Sequence, residues 1–307
     1  MNGYSNDTSR LPGWLKKRSP ISENVHAIKL KLRNRSLHTV CEEAKCPNLG
    51  ECFARGTATF MIMGDVCTRR CGFCAVKNGM AGPLDKDEPK RVALQIRDLA
   101  LKHAVITSVT RDDLPDGGAG HFAETIREIK GLNPDTTIEV LTPDFEGREI
   151  DVKTVCAAGP NIFNHNIETV ERLTAEVRSK ASYHRSLGIL RGVYLERSRK
   201  AQNDSMLVKS GLMLGLGETP REIEQTLKDL KDAGCNIVTI GQYLRPSKDA
   251  LPVKEYLEPK YFKYYEEKAL KIGFKFVFSG PFVRSSYMAE KAVILSASEG
   301  SHGGQDG

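Results

Sequence analysis

Residues 41–74 read CEEAKCPNLGECFARGTATFMIMGDVCTRRCGFC and contain six of the eight cysteines in the 307-residue chain. They form two triads: the first triad is Cys41, Cys46 and Cys52, and the second triad is Cys67, Cys71 and Cys74. The spacing is C-x4-C-x5-C in the first triad and C-x3-C-x2-C in the second. Between them, residues 59–64 (TFMIMG) predict a short buried strand, which places the second triad in the loop that follows it. Thiolates this crowded favour soft metal ions.

Strand and helix patterns alternate downstream of the second triad. Strands are predicted at residues 104–110, 137–141, 161–164, 208–214, 237–240 and 274–278, and helices at 88–102, 120–131, 147–157, 168–175, 182–201, 220–233 and 259–272. This alternation favours a parallel sheet with right-handed crossovers. Six or more such units curl toward a full or partial (β/α) barrel. We therefore expect an α/β protein, a partial (β/α)6-type TIM barrel with N- and C-terminal extensions.

Polar, glycine-rich loops follow the predicted strands and would meet at the C-terminal rim of the barrel, where such folds bind ligands. The residues that stand out in three of these loops are Asp112, Asp113, Asp116, Gly117 and Gly118, then Asn164, His165 and Asn166, then Gly215, Gly217 and Glu218. An acidic glycine-rich loop is by itself usually only a turn. His165 fits a hydrogen-bonded core histidine as well as an active-site contact. Cys156 and Cys235, outside the triads, are expected to be buried thiols.

The composition is that of an ordinary globular protein, with 40% hydrophobic and 27% charged residues. The net charge of +6 fits an acidic protein partner or a nucleic acid without establishing either. No run approaches the roughly 20 apolar residues of a membrane span, and the N-terminus lacks the apolar stretch of a signal peptide. We therefore expect a cytoplasmic protein, in which thiols stay reduced and clustered cysteines are ligands rather than disulfides.

The second triad can hold three irons of a [4Fe–4S] cube and leaves the fourth iron without a cysteine. An open position on a metal is where a substrate binds, whereas a zinc site would normally need a fourth ligand. Cys67, Cys71, Phe73 and Cys74 resemble the C-x3-C-x-aromatic-C signature of the radical S-adenosylmethionine (SAM) enzymes, in the loop after the first barrel strand. The resemblance implies a barrel of the radical SAM kind, SAM bound to the open iron and cleaved to a 5′-deoxyadenosyl radical, and Phe73 beside the adenine.

The same resemblance implies which other loops meet the cofactor. The loop after the second barrel strand lies near the methionine end of SAM in this family, where carboxylates can accept hydrogen bonds from its ammonium group. The residues expected to bind the cofactor are Phe73, Asp112, Asp116, Gly117, Gly118, Asn164 and Glu218.

The first triad is rarer, and by itself it also fits a zinc knuckle or an electron-relay cluster. Together with Arg284-Ser285-Ser286-Tyr287 (RSSY) and the segments TSVTRDDLPDGGAGHF, TPDFEG, FNHNIETV, KSGLMLGLGET and GQYLRPS, it resembles the lipoyl synthase family over residues 11–290. The resemblance implies an auxiliary [4Fe–4S] cluster held by the first triad and by a serine of RSSY. Ser286 is expected to be that ligand and a catalytic residue, with Ser285 the less favoured choice. A serine alkoxide is a harder ligand than a thiolate, so its bond to iron should break more readily. Met288 departs from the family, which commonly has His there.

The resemblance implies a sulfurtransferase reaction: insertion of two sulfur atoms at C6 and C8 of a protein-bound octanoyl-lysine, with the auxiliary cluster as sulfur donor. The implied partners are octanoylated lipoyl-carrier domains (2-oxoacid dehydrogenase E2 subunits and the glycine cleavage H protein), an electron donor such as flavodoxin or ferredoxin, and an iron–sulfur carrier that rebuilds the cluster. Neither a nucleic acid nor a membrane is expected. Two alternatives are a tRNA methylthiotransferase, for whose RNA-binding module little length remains, and a non-catalytic iron–sulfur carrier, which needs no SAM-type triad.

Three parts of the chain are expected. Residues 1–55 form an N-terminal extension with the first triad, residues 56–279 the radical SAM barrel, and residues 280–307 a C-terminal extension with RSSY and a disordered tail. Val25, Ile28 and Leu32 predict a short basic amphipathic helix in the first part.

Overall fold

A computed structural model of the chain describes residues 10–16, 30, 32, 35–43, 46, 48, 51–52, 58–199 and 206–287. The helix predicted around Val25 and Ile28 and the tail predicted after residue 287 lie outside these residues, and the three-part division of the chain stays a prediction. None of the helices in the described part is long and apolar enough to cross a membrane.

A sheet of eight strands organises the chain, in the spatial order β1-β2-β5-β6-β7-β8-β9-β10. The strands are β1 His38–Thr39, β2 Thr59–Ile62, β3 Val66–Cys67, β4 Lys77–Asn78, β5 His103–Ser108, β6 Thr137–Leu141, β7 Ile162–Asn164, β8 Leu207–Leu214, β9 Ile237–Gln242 and β10 Phe276–Gly280. β1 lies antiparallel to β2, and each later pairing in this sheet is parallel. β3 and β4 form a separate two-stranded parallel sheet.

Each strand from β2 to β9 in the large sheet is followed by a helix. The helices are α1 Val40–Glu43, α2 Glu88–Asp98, α3 Ala119–Leu132, α4 Glu149–Ala157, α5 Thr174–Val177, α6 Tyr183–Arg199, α7 Pro220–Asp232 and α8 Pro259–Ile272. β2, β5, β6, β7, β8 and β9 with their helices make six βα units, and β10 adds a seventh parallel strand. The predicted partial (β/α)6 barrel is thereby confirmed.

Two predicted helices differ from the structure. The helix predicted to reach residue 102 ends at Asp98, because Ala100 takes a left-handed φ of 49° and Leu101 N donates back to Ile96 O, a common helix ending. The helix predicted over 168–175 is instead a 3-10 turn at Glu171–Leu173 followed by α5.

The inner face of the curved sheet changes from apolar to polar toward the strand C-termini. Ile162, Leu207, Ile237 and Phe276, on four neighbouring strands, form an apolar cluster. Lys209 follows Leu207 by two residues and so shares its face of the strand. A larger apolar core lies between the sheet and the helices. The polar part of the interior therefore opens toward the rim where the loops meet.

Candidate active site

β3 precedes the loop of the second triad and β4 follows it, and the pairing of these two strands brings the ends of the loop together. Neighbouring loops fix its backbone. Thr68 N donates to Thr110 O at 3.0 Å, and Thr110 N donates to Cys67 Sγ at 3.3 Å. The loop after the second barrel strand, β5, is thus bonded directly to the first cysteine of the triad.

Gly72 holds the opposite side of this loop against the barrel. Its N–H donates to Val177 O at 2.9 Å, and its carbonyl accepts from Leu251 N at 2.7 Å. A Cβ at Gly72 would lie 2.7 Å from Leu251 Cδ1 and 3.3 Å from Glu176 O, so only glycine fits without a shift. The second triad is therefore part of the barrel rim.

Arg69, which lies inside the second triad, is buried and ties three loops together. Its Nε and Nη2 donate to the two oxygens of Asp112 at 2.8 and 2.7 Å. Nη2 also lies 2.7 Å from Asp144 Oδ1, and Asp144 Oδ2 lies 3.2 Å from Arg185 Nη1. Burial alone would raise the pKa of Asp144, but the Arg69 guanidinium outweighs it and lowers that pKa to about 2. Sequence reasoning missed Arg69. The available signal was a basic residue between the cysteines together with acidic loops after the next two strands.

The thiols of the second triad lie close enough to influence one another. Burial, the largest cause, raises the pKa of Cys71 to about 12; Cys74 and Cys67 act in the same direction and Arg178 in the opposite one. A bound cation would be needed to keep such a thiol deprotonated at neutral pH, and metal binding displaces protons in this way. In the described part of the chain, no three His, Cys, Asp or Glu side chains converge on one metal ion. An iron–sulfur cube fits these cysteines better, because each thiolate binds a different iron.

The loop residues predicted to contact SAM shape the start of α3. Asp116 accepts hydrogen bonds from Gly118 N at 2.9 Å and Gly120 N at 2.8 Å. Gly118 has a φ of 88°, and a Cβ there would lie 2.3 Å from Met63 Sδ. Gly117 has a φ of 59°. Asp112 lies beside the second triad through Arg69. Their contact with the cofactor stays a prediction.

Asn164, Glu218 and Phe73, the other predicted cofactor contacts, lie in separate surroundings. Asn164 is buried, and its carbonyl oxygen Oδ1 has no hydrogen-bond partner among the described residues, so this atom can accept from a bound group. Glu218 accepts from Gly215 N at 2.9 Å and Leu216 N at 3.0 Å, which folds its own loop. Phe73 is half-buried against the core. Their cofactor roles also stay predictions.

His165 is a hydrogen-bonded core histidine. Its Nδ1 lies 2.9 Å from Thr142 O, and its Nε2 lies 3.0 Å from Ser186 Oγ. A carbonyl can only accept, so Nδ1 carries the proton. Burial lowers the pKa of His165 to about 4, which keeps the ring neutral at pH 7. Cys156 and Cys235 are buried, as predicted, and neither forms a disulfide.

After β10 the chain returns to the first triad through residues 281–287, here called the C-terminal segment. Asn48 Nδ2 donates to Phe282 O at 2.6 Å, and Tyr287 O–H donates to Glu51 Oε1 at 3.1 Å, across 234 and 236 residues of sequence. Asn48 and Glu51 both lie between the second and third cysteines of the triad. The RSSY motif is therefore held beside the first triad.

Arg284 of RSSY also reports this proximity. Burial lowers the pKa of its guanidinium, and Cys46 acts in the opposite direction, as a nearby thiolate does. Ser286 Oγ accepts from Thr59 Oγ1, at the start of β2, at 2.9 Å. Cys52 lies at the end of the same short stretch as Glu51, and the Cys41 side chain lies outside the described part.

Comparison with protein families and curated proteins gives consistent results. A model of the radical SAM superfamily matches residues 61–241, and a model of the N-terminal domain of lipoyl synthase matches residues 3–46. The lipoyl synthase of Caldanaerobacter subterraneus subsp. tengcongensis is 55% identical over 289 residues, 94% of this chain and 99% of that one. The lipoyl synthase of Flavobacterium johnsoniae is 51% identical over 283 residues, 92% of this chain and 96% of that one.

Solved structures of distant sequence share the fold. The crystal structure of methylornithine synthase matches with a TM-score of 0.55 at 12% identity, over 92% of this chain and 94% of that chain. Streptococcus suis SuiB bound to the precursor peptide SuiA matches with a TM-score of 0.56 at 12% identity, over 91% of this chain and 58% of that chain. At this level of identity the likeness shows the fold alone.

Proposed function

The chain belongs to the lipoyl synthase family of radical SAM proteins, and on this premise we propose that it inserts sulfur at C6 and C8 of a protein-bound octanoyl-lysine. It is a sulfurtransferase whose cofactors are two [4Fe–4S] clusters and SAM. The auxiliary cluster is the sulfur donor, and each lipoyl group takes two of its sulfur atoms.

The second triad carries the radical half of the reaction. When bound, its cluster and SAM supply the 5′-deoxyadenosyl radical that takes hydrogen from an unactivated carbon. Cys67, Cys71 and Cys74 would hold that cluster. Arg69 keeps their loop on the rim by its ion pairs with Asp112 and Asp144, and a loop so fixed holds reacting groups in one geometry.

The first triad and Ser286 would hold the sulfur donor. The observation that carries this proposal is the return of the C-terminal segment to the first triad, through the Asn48–Phe282 and Tyr287–Glu51 hydrogen bonds. That return would bring an oxygen ligand to a site where three cysteines need one more. Ser286 is the better choice because Ser285 is bonded to the barrel interior.

Lipoyl-carrier proteins are the substrates that the family membership implies. We further propose 2-oxoacid dehydrogenase E2 domains and the glycine cleavage H protein as the carriers, flavodoxin or ferredoxin as electron donor, and an iron–sulfur carrier that rebuilds the auxiliary cluster. The cytoplasmic location expected from the sequence stays a prediction.

The experiment that tests the proposal is Ser286→Ala, assayed anaerobically with an octanoyl-lysine peptide and SAM. We expect 5′-deoxyadenosine to form while the lipoyl product is lost, because only the sulfur-donating site is changed. Ser286→Cys is the control, since a thiolate can replace the alkoxide and retain the cluster. Mass spectrometry follows the peptide. A full lipoyl yield from Ser286→Ala would refute the assignment of Ser286.

A further inference from the structure

The two adjacent serines of RSSY have different hydrogen-bond partners. Ser286 Oγ and Thr59 Oγ1 lie 2.9 Å apart, within hydrogen-bond distance of each other. Ser285 Oγ accepts from Asn164 Nδ2 at 2.8 Å and donates to Asn166 Oδ1 at 2.9 Å. Ser285 is therefore held by two amide side chains, whereas Ser286 contacts one hydroxyl.

The partners of Ser285 are themselves fixed in the barrel interior. Asn164 Nδ2 also donates to Glu139 Oε1 at 2.8 Å. Lys209 Nζ lies 2.9 Å from both Glu139 oxygens, and neither side chain of this pair is more than 1% exposed. Glu139 and Lys209 come from β6 and β8, the strands on either side of β7. Ser285 is thus bonded to a buried polar network that spans three strands.

Other contacts of the C-terminal segment go to a different part of the molecule. Phe282 and Tyr287 bond to Asn48 and Glu51, which lie between the second and third cysteines of the first triad. In the proposed function, the auxiliary cluster would hold the cysteines on either side of Asn48 and Glu51 together. On the barrel side the segment also passes close to Gly241, where a Cβ would lie 2.2 Å from Val283 O.

We propose that Ser285 is a positioning residue: it keeps the C-terminal segment bonded to Asn164 and Asn166 of the barrel while the auxiliary cluster is absent. This inference rests on the proposed function, in which that cluster is consumed and the bond from iron to Ser286 is lost. With Ser285 still bonded to Asn164 and Asn166, Ser286 stays beside Thr59 and can bind a rebuilt cluster. One serine tethers the segment to metal and the other tethers it to protein.

Amide hydrogen exchange of the C-terminal segment measures this anchor directly. Val283 N donates to Gly280 O at 3.0 Å, and Tyr287 N donates to Arg284 O at 2.9 Å, so both amides report whether the segment is folded. Full-length protein is compared with both clusters loaded and after chelation of its iron. In cluster-free Ser285→Ala we expect both amides to exchange about tenfold faster than in wild type, from the loss of two hydrogen bonds. Once the clusters are loaded, the bond to Ser286 holds the segment and the difference shrinks.

Three further variants separate an anchor from a general loss of structure. Ser285→Thr retains the hydroxyl and is expected to restore slow exchange. Gly241→Ala displaces Val283 O, and with it the hydrogen bond that this oxygen accepts from Arg284 Nη1, but changes neither serine; it is expected to speed exchange as Ser285→Ala does. Gly280→Ala is its matched control on the neighbouring strand, because a Cβ there meets only Val283 Cγ2 at 3.4 Å. Melting temperatures of all variants show whether the barrel itself is intact.

Each outcome decides between anchor, ligand and neither. Unchanged exchange in cluster-free Ser285→Ala would overturn the anchor. Loss of the oxygen-ligated iron signal in the Mössbauer spectrum of Ser285→Ala, with that signal retained in Ser286→Ala, would make Ser285 the iron ligand and also overturn it. Lipoyl formation by the same wild-type preparation is measured in parallel. Its absence rejects the proposed function, whereas normal product with unchanged exchange rejects the anchor alone.

Discussion

The two cysteine triads are neighbours in sequence, yet the structure holds them by opposite means. The second triad lies in a loop whose backbone is bonded to the barrel rim and whose Arg69 is buried between two carboxylates. The stretch between Cys46 and Cys52 of the first triad is bonded to the Phe282 carbonyl and the Tyr287 side chain, from the far end of the chain. Under the proposed assignment, the cluster that must survive every turnover lies in the loop bonded to the rim, and the cluster that is consumed lies beside the C-terminal segment.

The largest difference between the triads should appear when one cysteine of each is removed. Cys71→Ala is expected to abolish SAM cleavage and lipoyl formation together, because Cys71 is a proposed ligand of the SAM-binding cluster. Cys46→Ala is expected to abolish lipoyl formation but to retain 5′-deoxyadenosine formation. Chromatography of 5′-deoxyadenosine measures SAM cleavage, and mass spectrometry of the peptide measures lipoyl formation. Equal loss of SAM cleavage in both variants would show that the triads do not act separately.

The rigidity of the second triad should depend on Arg69. Arg69→Met removes the cation shared by buried Asp144 and half-buried Asp112 and leaves Asp144 with Arg185 alone, so it is expected to cost about 3 kcal/mol of unfolding free energy. Arg70→Met is the matched control, since Arg70 is exposed and its side chain makes no ion pair with a described residue; its effect should stay within about 0.5 kcal/mol. Urea unfolding of cluster-free protein measures both. Similar costs for the two variants would contradict the role of Arg69.

Acid should weaken the same ion pairs through Asp144. Its pKa in the folded chain is lowered from 3.8 to about 2, so its contribution is fully present well above pH 4 and is lost as pH falls toward 2. The shift corresponds to about 2 kcal/mol at neutral pH. Asp144→Asn lacks this contribution at every pH. Its unfolding free energy should therefore approach that of wild type as pH falls from about 5 to 2, and a gap that stays constant with pH would contradict the assignment.

The smallest effect is expected at the hydrogen bond between Tyr287 of the C-terminal segment and Glu51 beside the first triad. Tyr287→Phe removes the hydrogen bond to Glu51 and should weaken retention of the auxiliary cluster by a few-fold, as expected for one bond of about 1 kcal/mol. Tyr264→Phe removes a Tyr–Glu hydrogen bond of 2.9 Å on the outer surface and is the matched control. Iron per chain after gel filtration measures retention, and SAM cleavage should be unchanged in both. Equal iron retention in the two variants would show that the Tyr287–Glu51 hydrogen bond does not help to retain the auxiliary cluster.

The sequence predicts most of this fold because its apolar periodicity is local. β6 lies at the predicted residues, and the other parallel strands begin and end within a few residues of their predicted bounds. Helix ends are less accurate, since a single residue such as Ala100 in a left-handed conformation can end a helix. The apolar periodicity of the sequence does not show at which residue a helix ends.

Only some residues of the candidate site can be predicted from the sequence. The cysteines and the RSSY motif are visible as sequence patterns, because their spacing is itself the signal. Arg69 is not, since its partners Asp112 and Asp144 come from two later loops, and only the folded rim brings the three together. The separate surroundings of Ser285 and Ser286 likewise depend on which strand each hydroxyl meets, and adjacent letters in a motif do not show this.

The return of residues 281–287 to the first triad also orders events during synthesis. The second triad's loop can be completed once the chain has reached Leu251, which donates to Gly72 O. The first triad must wait for Tyr287, which comes later in the chain than Leu251. At roughly 5–20 residues per second, a few seconds separate the two. A chain released early would thus have a place for the radical-generating cluster and none for the sulfur donor.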